Sequence, residues 1–167
     1  MPLLARWRSD PRILEFYGGR DKPRNEDAVR RRYFGRRRDP ATGRFYEYRA
    51  CIVEADGLPV AFVQYYRPPK HEARLFRCSP GERTYGIDFL IGDPTLWGRG
   101  LGTRFIGLLR DYLRETRGAS RIVSDPMVEN LRSVRALEKA GFHKVLRLNA
   151  HAFHEGIARD CWLMEFS

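Results

Sequence analysis

Two aspartates and one glycine-rich bend carry the chemistry open to this sequence. Asp88 lies within an otherwise apolar run, Tyr85-Gly86-Ile87-Asp88-Phe89-Leu90-Ile91, and Asp125 opens an Asp125-Pro126 pair. An unpaired buried carboxylate is costly, so an acid inside an apolar strand usually has a task. Carboxylates suit two linked tasks: holding an ammonium, then taking its proton so that the neutral amine can attack an electrophile. Between the two acids, Trp97-Gly98-Arg99-Gly100-Leu101-Gly102-Thr103 falls where a strand hands over to a helix. Glycines there let the backbone approach a ligand, and the free N–H groups of the first helical turn, with the macrodipole, form an anion site. The pattern is G-x-G-x-G. It departs from the dinucleotide fingerprint and lacks the Gly-Lys-Ser/Thr of a P-loop. The blander alternatives are a tight turn for the bend, an Asx-turn for Asp125 and a satisfied or solvent-facing acid for Asp88.

These residues need elements to position them. Pro2 followed by Leu3, Leu4 and Trp7 predicts one or two helical turns, and Asn25 caps a helix over about 26–35 with acids in its first turn and arginines in its last. Strands are expected at 48–54 and 60–66, joined by Ala55-Asp56-Gly57-Leu58-Pro59 as a hairpin. Residues 68–83 read as a polar loop. A strand at 84–91 leads through the bend into an amphipathic helix at about 100–117, with Leu101, Phe105, Leu108, Leu109, Tyr112 and Leu113 at helical spacing. A strand at 121–124, a helix at 130–140 closed by Gly141, and strands at 142–148 and 160–166 complete the order. The mixture predicts an α/β (α+β) fold with a mixed, mostly antiparallel sheet flanked by helices, residues 1–167 forming a single domain.

The chain has 167 residues, 31 Lys+Arg against 21 Asp+Glu, and 43% hydrophobic residues, enough for one core. Its net charge of +10 is what a nucleic-acid binder would show. The distribution argues otherwise: residues 1–50 hold 14 basic and 7 acidic side chains, and the remainder 17 and 14. Nucleic acid is therefore not the first expectation. Arg30, Arg31, Arg32, Arg36, Arg37 and Arg38 surround a helix end, where such runs are usually a solvated face. Apolar runs are strand-sized, short of the roughly 18 residues of a membrane span, and no charged-then-apolar leader opens the chain, so a cytoplasmic protein is expected. Cys51, Cys78 and Cys161 are read as buried thiols rather than a disulfide framework. His151 and His154 read as a solvated loop pair, His71 and His143 have no evident partners, and no metal is expected.

The bend, the Asp125-to-Ser133 segment with Asn130, and Glu138-Lys139-Ala140-Gly141-Phe142 together resemble the acyl-CoA-binding motifs of the GCN5-related N-acetyltransferase (GNAT) superfamily. Over about residues 45–166 the chain looks most like aminoglycoside 6′-N-acetyltransferases of type Ib. The resemblance implies a CoA-binding core at about 84–142 and a helical substrate-side segment at about 1–45. It implies acetyl-CoA as acyl donor, its pyrophosphate bound by the backbone amides of Arg99, Gly100, Leu101, Gly102 and Thr103. The pantetheine arm would run beside Leu90 and Ile91, with Asn130 bonding it. Asp88 and Asp125 would hold the acceptor's amino groups and assist proton loss, and Tyr17-Gly18-Gly19 would border the acceptor pocket.

Trp97 stands where the superfamily often has Gln or Arg, as type Ib enzymes also do without them. The tyrosine many members offer to the departing thiolate is Leu137 here, which leaves the general acid unassigned. The family's first strand is apparently missing. Either a sheet edge is open, which makes monomer or homodimer the alternatives, or the chain begins further upstream. The resemblance thus implies an N-acetyltransferase acting by direct transfer on a primary amine of a small polar molecule, such as an aminoglycoside. The alternatives are acylation of a lysine-type siderophore precursor or a protein N-terminus, and an RNA-binding or regulatory module on an inactive scaffold.

Overall fold

A computed structural model of the chain describes residues 2–22 and 24–167. Three short helices open it, α1 (Pro2–Trp7), α2 (Pro11–Leu14) and α3 (Glu26–Tyr33), followed by β1 (Tyr48–Ala55), β2 (Leu58–Tyr66), α4 (Lys70–Leu75) and β3 (Thr84–Ile91). Then come α5 (Leu101–Glu115), β4 (Arg121–Ser124), α6 (Leu131–Lys139), β5 (His143–His154) and β6 (Ile157–Phe166). The six strands form one sheet in the order β1-β2-β3-β4-β6-β5, parallel between β3 and β4 and antiparallel elsewhere. β1 stands at one edge. No helix among the described residues is long and apolar enough to cross a membrane.

The sheet is covered on both faces, as the period-two pattern of its central strands dictates. On β2 and β3, Ala61, Val63, Tyr65, Tyr85 and Ile87 join Phe105, Ile106 and Leu113 of α5 and Val134 and Leu137 of α6 in the larger core. The intervening Phe62 and Leu90 face the other way, into a second core with Leu4, Trp7, Ile13, Val29 and Tyr33 of the N-terminal helices. Asp88 and Gln64 belong to this second face, between the Phe62–Leu90 and Tyr66–Gly86 cross-strand pairs. The acid is thus set in the apolar floor beneath α1–α3.

Several elements differ from expectation. The loop expected at 68–83 contains α4, none of whose side chains is fully buried and which has no side-chain cap. It is fastened from outside: Asp39 Oδ2 accepts the Lys70 amide at 2.9 Å, and Arg121 Nη1 donates to the Phe76 carbonyl at 2.7 Å. β5 runs to His154 instead of 148, and β6 begins at Ile157 instead of 160. The hairpin pauses at a bulge, where the register jumps from Leu148↔Cys161 to Ala152↔Arg159 and Ala150 takes φ 51°. Asp160 holds the bulge, accepting from the Ala150 amide at 2.8 Å while bonded to Arg147. Of the thiols, Cys161 is buried but Cys51 is exposed, because β1 is an edge strand.

Candidate active site

The site opens where the sheet splits. β3 pairs with β4 only from Thr84 to Gly86, and β4 ends at Ser124. The chain beyond Ser124 follows β6, the Trp162 amide donating to Pro126 and the Val128 amide to Asp160, both at 2.9 Å. The second half of β3 therefore faces an opening. A cleft of 730 Å³ follows it, lined on one wall by Leu90, Ile91, Gly98, Gly100–Thr103, Asn130 and Ala136, and on the other by Tyr17, Tyr33, Asp88, Asp125 and His151.

At the first wall, Gly100 caps α5 with φ 78° and no side chain to satisfy the first turn. The first bond into the helix comes from the Arg104 amide to the Gly100 carbonyl at 3.1 Å, so the amides of Leu101, Gly102 and Thr103 emerge from the helix end. Left-handed φ requires glycine at Gly98 and Gly100, and a Cβ at either would enter open space. This backbone fits a diphosphate. Arg99 does not line the cleft, unlike the rest of the expected set. Asn130 does, but its side chain caps α6, Oδ1 accepting from the Ser133 amide at 3.2 Å and Nδ2 donating to Ser133 Oγ at 2.9 Å. Trp97 extends its indole N–H toward the Ile91 carbonyl at 3.4 Å, under the Arg132 guanidinium at 4.1 Å.

At the second wall, Asp88 has a supporting chain that local sequence did not signal. Gln64 Nε2 donates to Asp88 Oδ2, and Tyr48 donates its hydroxyl to Gln64 Oε1 at 2.6 Å. Arg37 sits over the Tyr48 ring at 4.8 Å. Burial, then the nearby Asp125 carboxylate, pushes Asp88 up to about 7, against the opposing pull of Gln64 and Arg32. Glu72 of α4 is also pushed up to about 7, by burial and then by Asp88 and Asp125. Tyr17 stands near Asp88 and Arg8, its phenol held well above its usual range chiefly by burial.

Asp125 is bonded to His151 Nε2 at 2.8 Å, and that bond raises the imidazole above its ordinary value. The expectation of a solvated histidine loop is therefore wrong for both residues. The bulge at Ala150 aims His151 at Asp125, and His154 is buried with Nε2 2.7 Å from the Glu15 carbonyl. His71 and His143 also have partners, Glu72 at 3.7 Å and Glu165 at 3.5 Å. No group of three or more His, Cys, Asp or Glu side chains able to hold a metal occurs among the described residues.

The family model described as acetyltransferase (GNAT) domain matches residues 1–149. The chain belongs to this family. It is an N-acetyltransferase, 27% identical over 146 residues to the aminoglycoside N(6′)-acetyltransferase type 1 of Klebsiella pneumoniae, spanning 86% of this chain and 69% of that one. A kanamycin resistance protein of Rhizobium radiobacter is 38% identical over 65 residues, 39% of this chain and 58% of its own. Among solved structures, aminoglycoside acetyltransferase AAC(6′)-Ib in complex with coenzyme A and kanamycin superposes with a TM-score of 0.72 at 23% identity, covering 99% of this chain and 87% of that one. That likeness is one of fold.

Two further features of this acetyltransferase bear on its chemistry. Leu137 is fully buried in the larger core and offers no proton. Cys161 lines the cleft, but burial and the surrounding acids Asp125, Glu129 and Asp160 push its thiol up to about 12. It is a protonated, weak nucleophile.

Proposed function

We propose that the chain transfers an acetyl group from acetyl-CoA directly to a primary amine of a small polar acceptor, both substrates being bound together. The observation that carries this reading is one cleft joining a diphosphate-shaped helix end to a carboxylate poised near neutrality. Acetyl-CoA supplies the acyl group and a thiolate leaving group. The amides of Gly100, Leu101, Gly102 and Thr103 bind its pyrophosphate, and the open backbone of Leu90 and Ile91 holds the pantetheine arm. Asp88 and Asp125 bind the acceptor's ammonium, and Asp88, with its pKa near working pH, takes the proton. Asp125 is oriented by His151. Tyr17 forms part of the acceptor wall. A CoA thiol, with a pKa near 8.5, departs with little help, consistent with the buried Leu137. The unreactive Cys161 supports direct transfer over a covalent enzyme intermediate. Use of acetyl-CoA fits a cytoplasmic site of action.

The curated relatives favour an aminoglycoside 6′-amine as acceptor. A second reading, a lysine-type amine, is favoured by unpaired arginines in the same cleft. Thiol release from acetyl-CoA, measured against aminoglycosides, lysine derivatives and peptides, tests the activity; no release with any amine refutes it.

Two substitutions separate the walls. Thr103→Glu places a carboxylate in the first turn of α5, where the macrodipole favours it by about 0.3–1 kcal/mol, so the free protein keeps or gains stability. The same charge repels a diphosphate. CoA affinity is expected to fall about 10- to 100-fold, on the order of 2 kcal/mol at an effective dielectric of ~20, by calorimetry. His151→Gln removes the charge-assisted bond to Asp125, worth about 1.5 kcal/mol, and should raise the acceptor KM roughly 10-fold at unchanged CoA affinity.

A further inference from the structure

We infer that the acceptor carries an oxyanion, a carboxylate or a phosphate, beside its primary amine. The inference rests on the N-acetyltransferase reading above and names the class of molecule taken by that site. Arg8 from the end of α1, Arg24 before α3 and Arg32 within α3 all line the cleft with Asp88, Tyr17 and Tyr33. Arg8 is 2% exposed, its guanidinium 4.6 Å from the centre of the Tyr17 ring and bonded to the Tyr17 carbonyl, yet its Nε has no partner. The Nε of Arg24 is likewise buried without a partner.

Among the described residues, none of these three arginines meets a carboxylate within 4.0 Å, whereas Arg12, which lines the same cleft, pairs with Asp10 at 2.7 Å. Burial lowers the pKa of Arg8, and the like charges of Arg24 and Arg32 add to that lowering. A desolvated guanidinium among like charges is unfavourable until an anion arrives, and its planar fork matches carboxylate and phosphate oxygens in bidentate fashion. The backbone has been cleared for it: a Cβ at Gly18, where φ is 100°, would lie 2.4 Å from Arg8 Nη2.

The cleft thus presents carboxylates and unpaired arginines together on the acceptor wall. That arrangement selects a molecule of mixed charge, such as an amino acid with a side-chain amine, and works against a polycation. It also accounts for the N-terminal charge excess differently from a nucleic-acid surface. Arg36 and Arg38 are stacked on Phe45 at 3.8 and 4.1 Å, while Arg8, Arg24 and Arg32 line the cleft.

Calorimetry with CoA present tests this with two matched pairs, Nα-acetyl-lysine against its C-terminal amide and phosphoethanolamine against ethanolamine, with kanamycin as polycation. In at least one pair the oxyanion-bearing amine is expected to bind 10-fold or more tightly than its neutral counterpart. Arg24→Gln and Arg32→Gln should each erode that ratio without altering CoA affinity. Equal affinities in both pairs, no binding of either oxyanion, tighter binding of kanamycin, or a loss of CoA affinity in the arginine variants overturns the inference. Thiol release on the same panel reports separately: transfer without preference refutes only the oxyanion, while binding preference without transfer to any amine refutes only the acetyltransferase activity.

Discussion

Asp88→Asn is expected to lower kcat/KM for the amine acceptor by roughly 10²- to 10⁴-fold, the span typical of removing a positioned general base. The effect should be confined to the acceptor half of the reaction. Asn accepts the Gln64 amide hydrogen as the carboxylate does, so the Tyr48–Gln64 chain survives, and the helix-end amides proposed to bind CoA lie on the other wall. CoA affinity by calorimetry should therefore be unchanged. An Asn variant with near-normal turnover would remove Asp88 from the chemistry.

The same carboxyl sets a pH signature that does not depend on turnover. Burial raises Asp88 to about 7, well above the ordinary carboxylate value of about 4, so the folded state favours the protonated acid. Its contribution to stability is fully present below about pH 4 and lost as pH rises through about 7. Asn cannot ionise and escapes that loss. Relative to wild type, Asp88→Asn should gain stability across this window, on the order of 2 kcal/mol once partial solvent access is allowed for, and gain no more above it. Activity runs the other way. Wild-type kcat/KM should climb through about pH 7 as the base becomes ionised.

What the sequence disclosed was what local rules encode. The bend, α5 and α6 follow from glycines at left-handed positions, a capping Asn130 and apolar side chains at helical spacing. Asp88 was visible because a charge in an apolar strand breaks a short-range pattern. Its support was not, because Gln64 meets Asp88 only through cross-strand register and Tyr48 lies a strand further out. α4 and its Glu72 leave no local pattern, because none of its side chains is fully buried and it is held by Asp39 and Arg121 from distant segments. The place of His151 is not legible locally, because the bulge at Ala150 interrupts the alternation of β5 and is held by Asp160 on the neighbouring strand. Arg8 offers a single local hint: four residues after Leu4 and beside Trp7, it follows directly on a helix that buries Leu4, Ala5 and Trp7.

That helix supplies the second large effect, at a residue remote from any reacting atom. Gly92 follows β3, its amide donating to the Val60 carbonyl at 2.9 Å, and a Cβ there would lie 1.9 Å from Trp7 Cε2 and 2.2 Å from Cδ2. The backbone at Gly92 is ordinary; the glycine is required by the closeness of a rigid indole. Trp7 is 4% exposed and locked in the core of Leu4, Ile13, Val29 and Phe62, so it has nowhere to retreat. Gly92→Val should cost about 3 kcal/mol, seen as a fall in Tm of roughly 6–12 °C. Because Trp7 immediately precedes Arg8, the folded fraction should also bind the acceptor more weakly. A double-mutant cycle isolates the cause. In a Trp7→Ala background the indole is gone, and Gly92→Val should then cost less than about 1 kcal/mol. An undiminished cost in that background would mean that the indole is not what demands glycine.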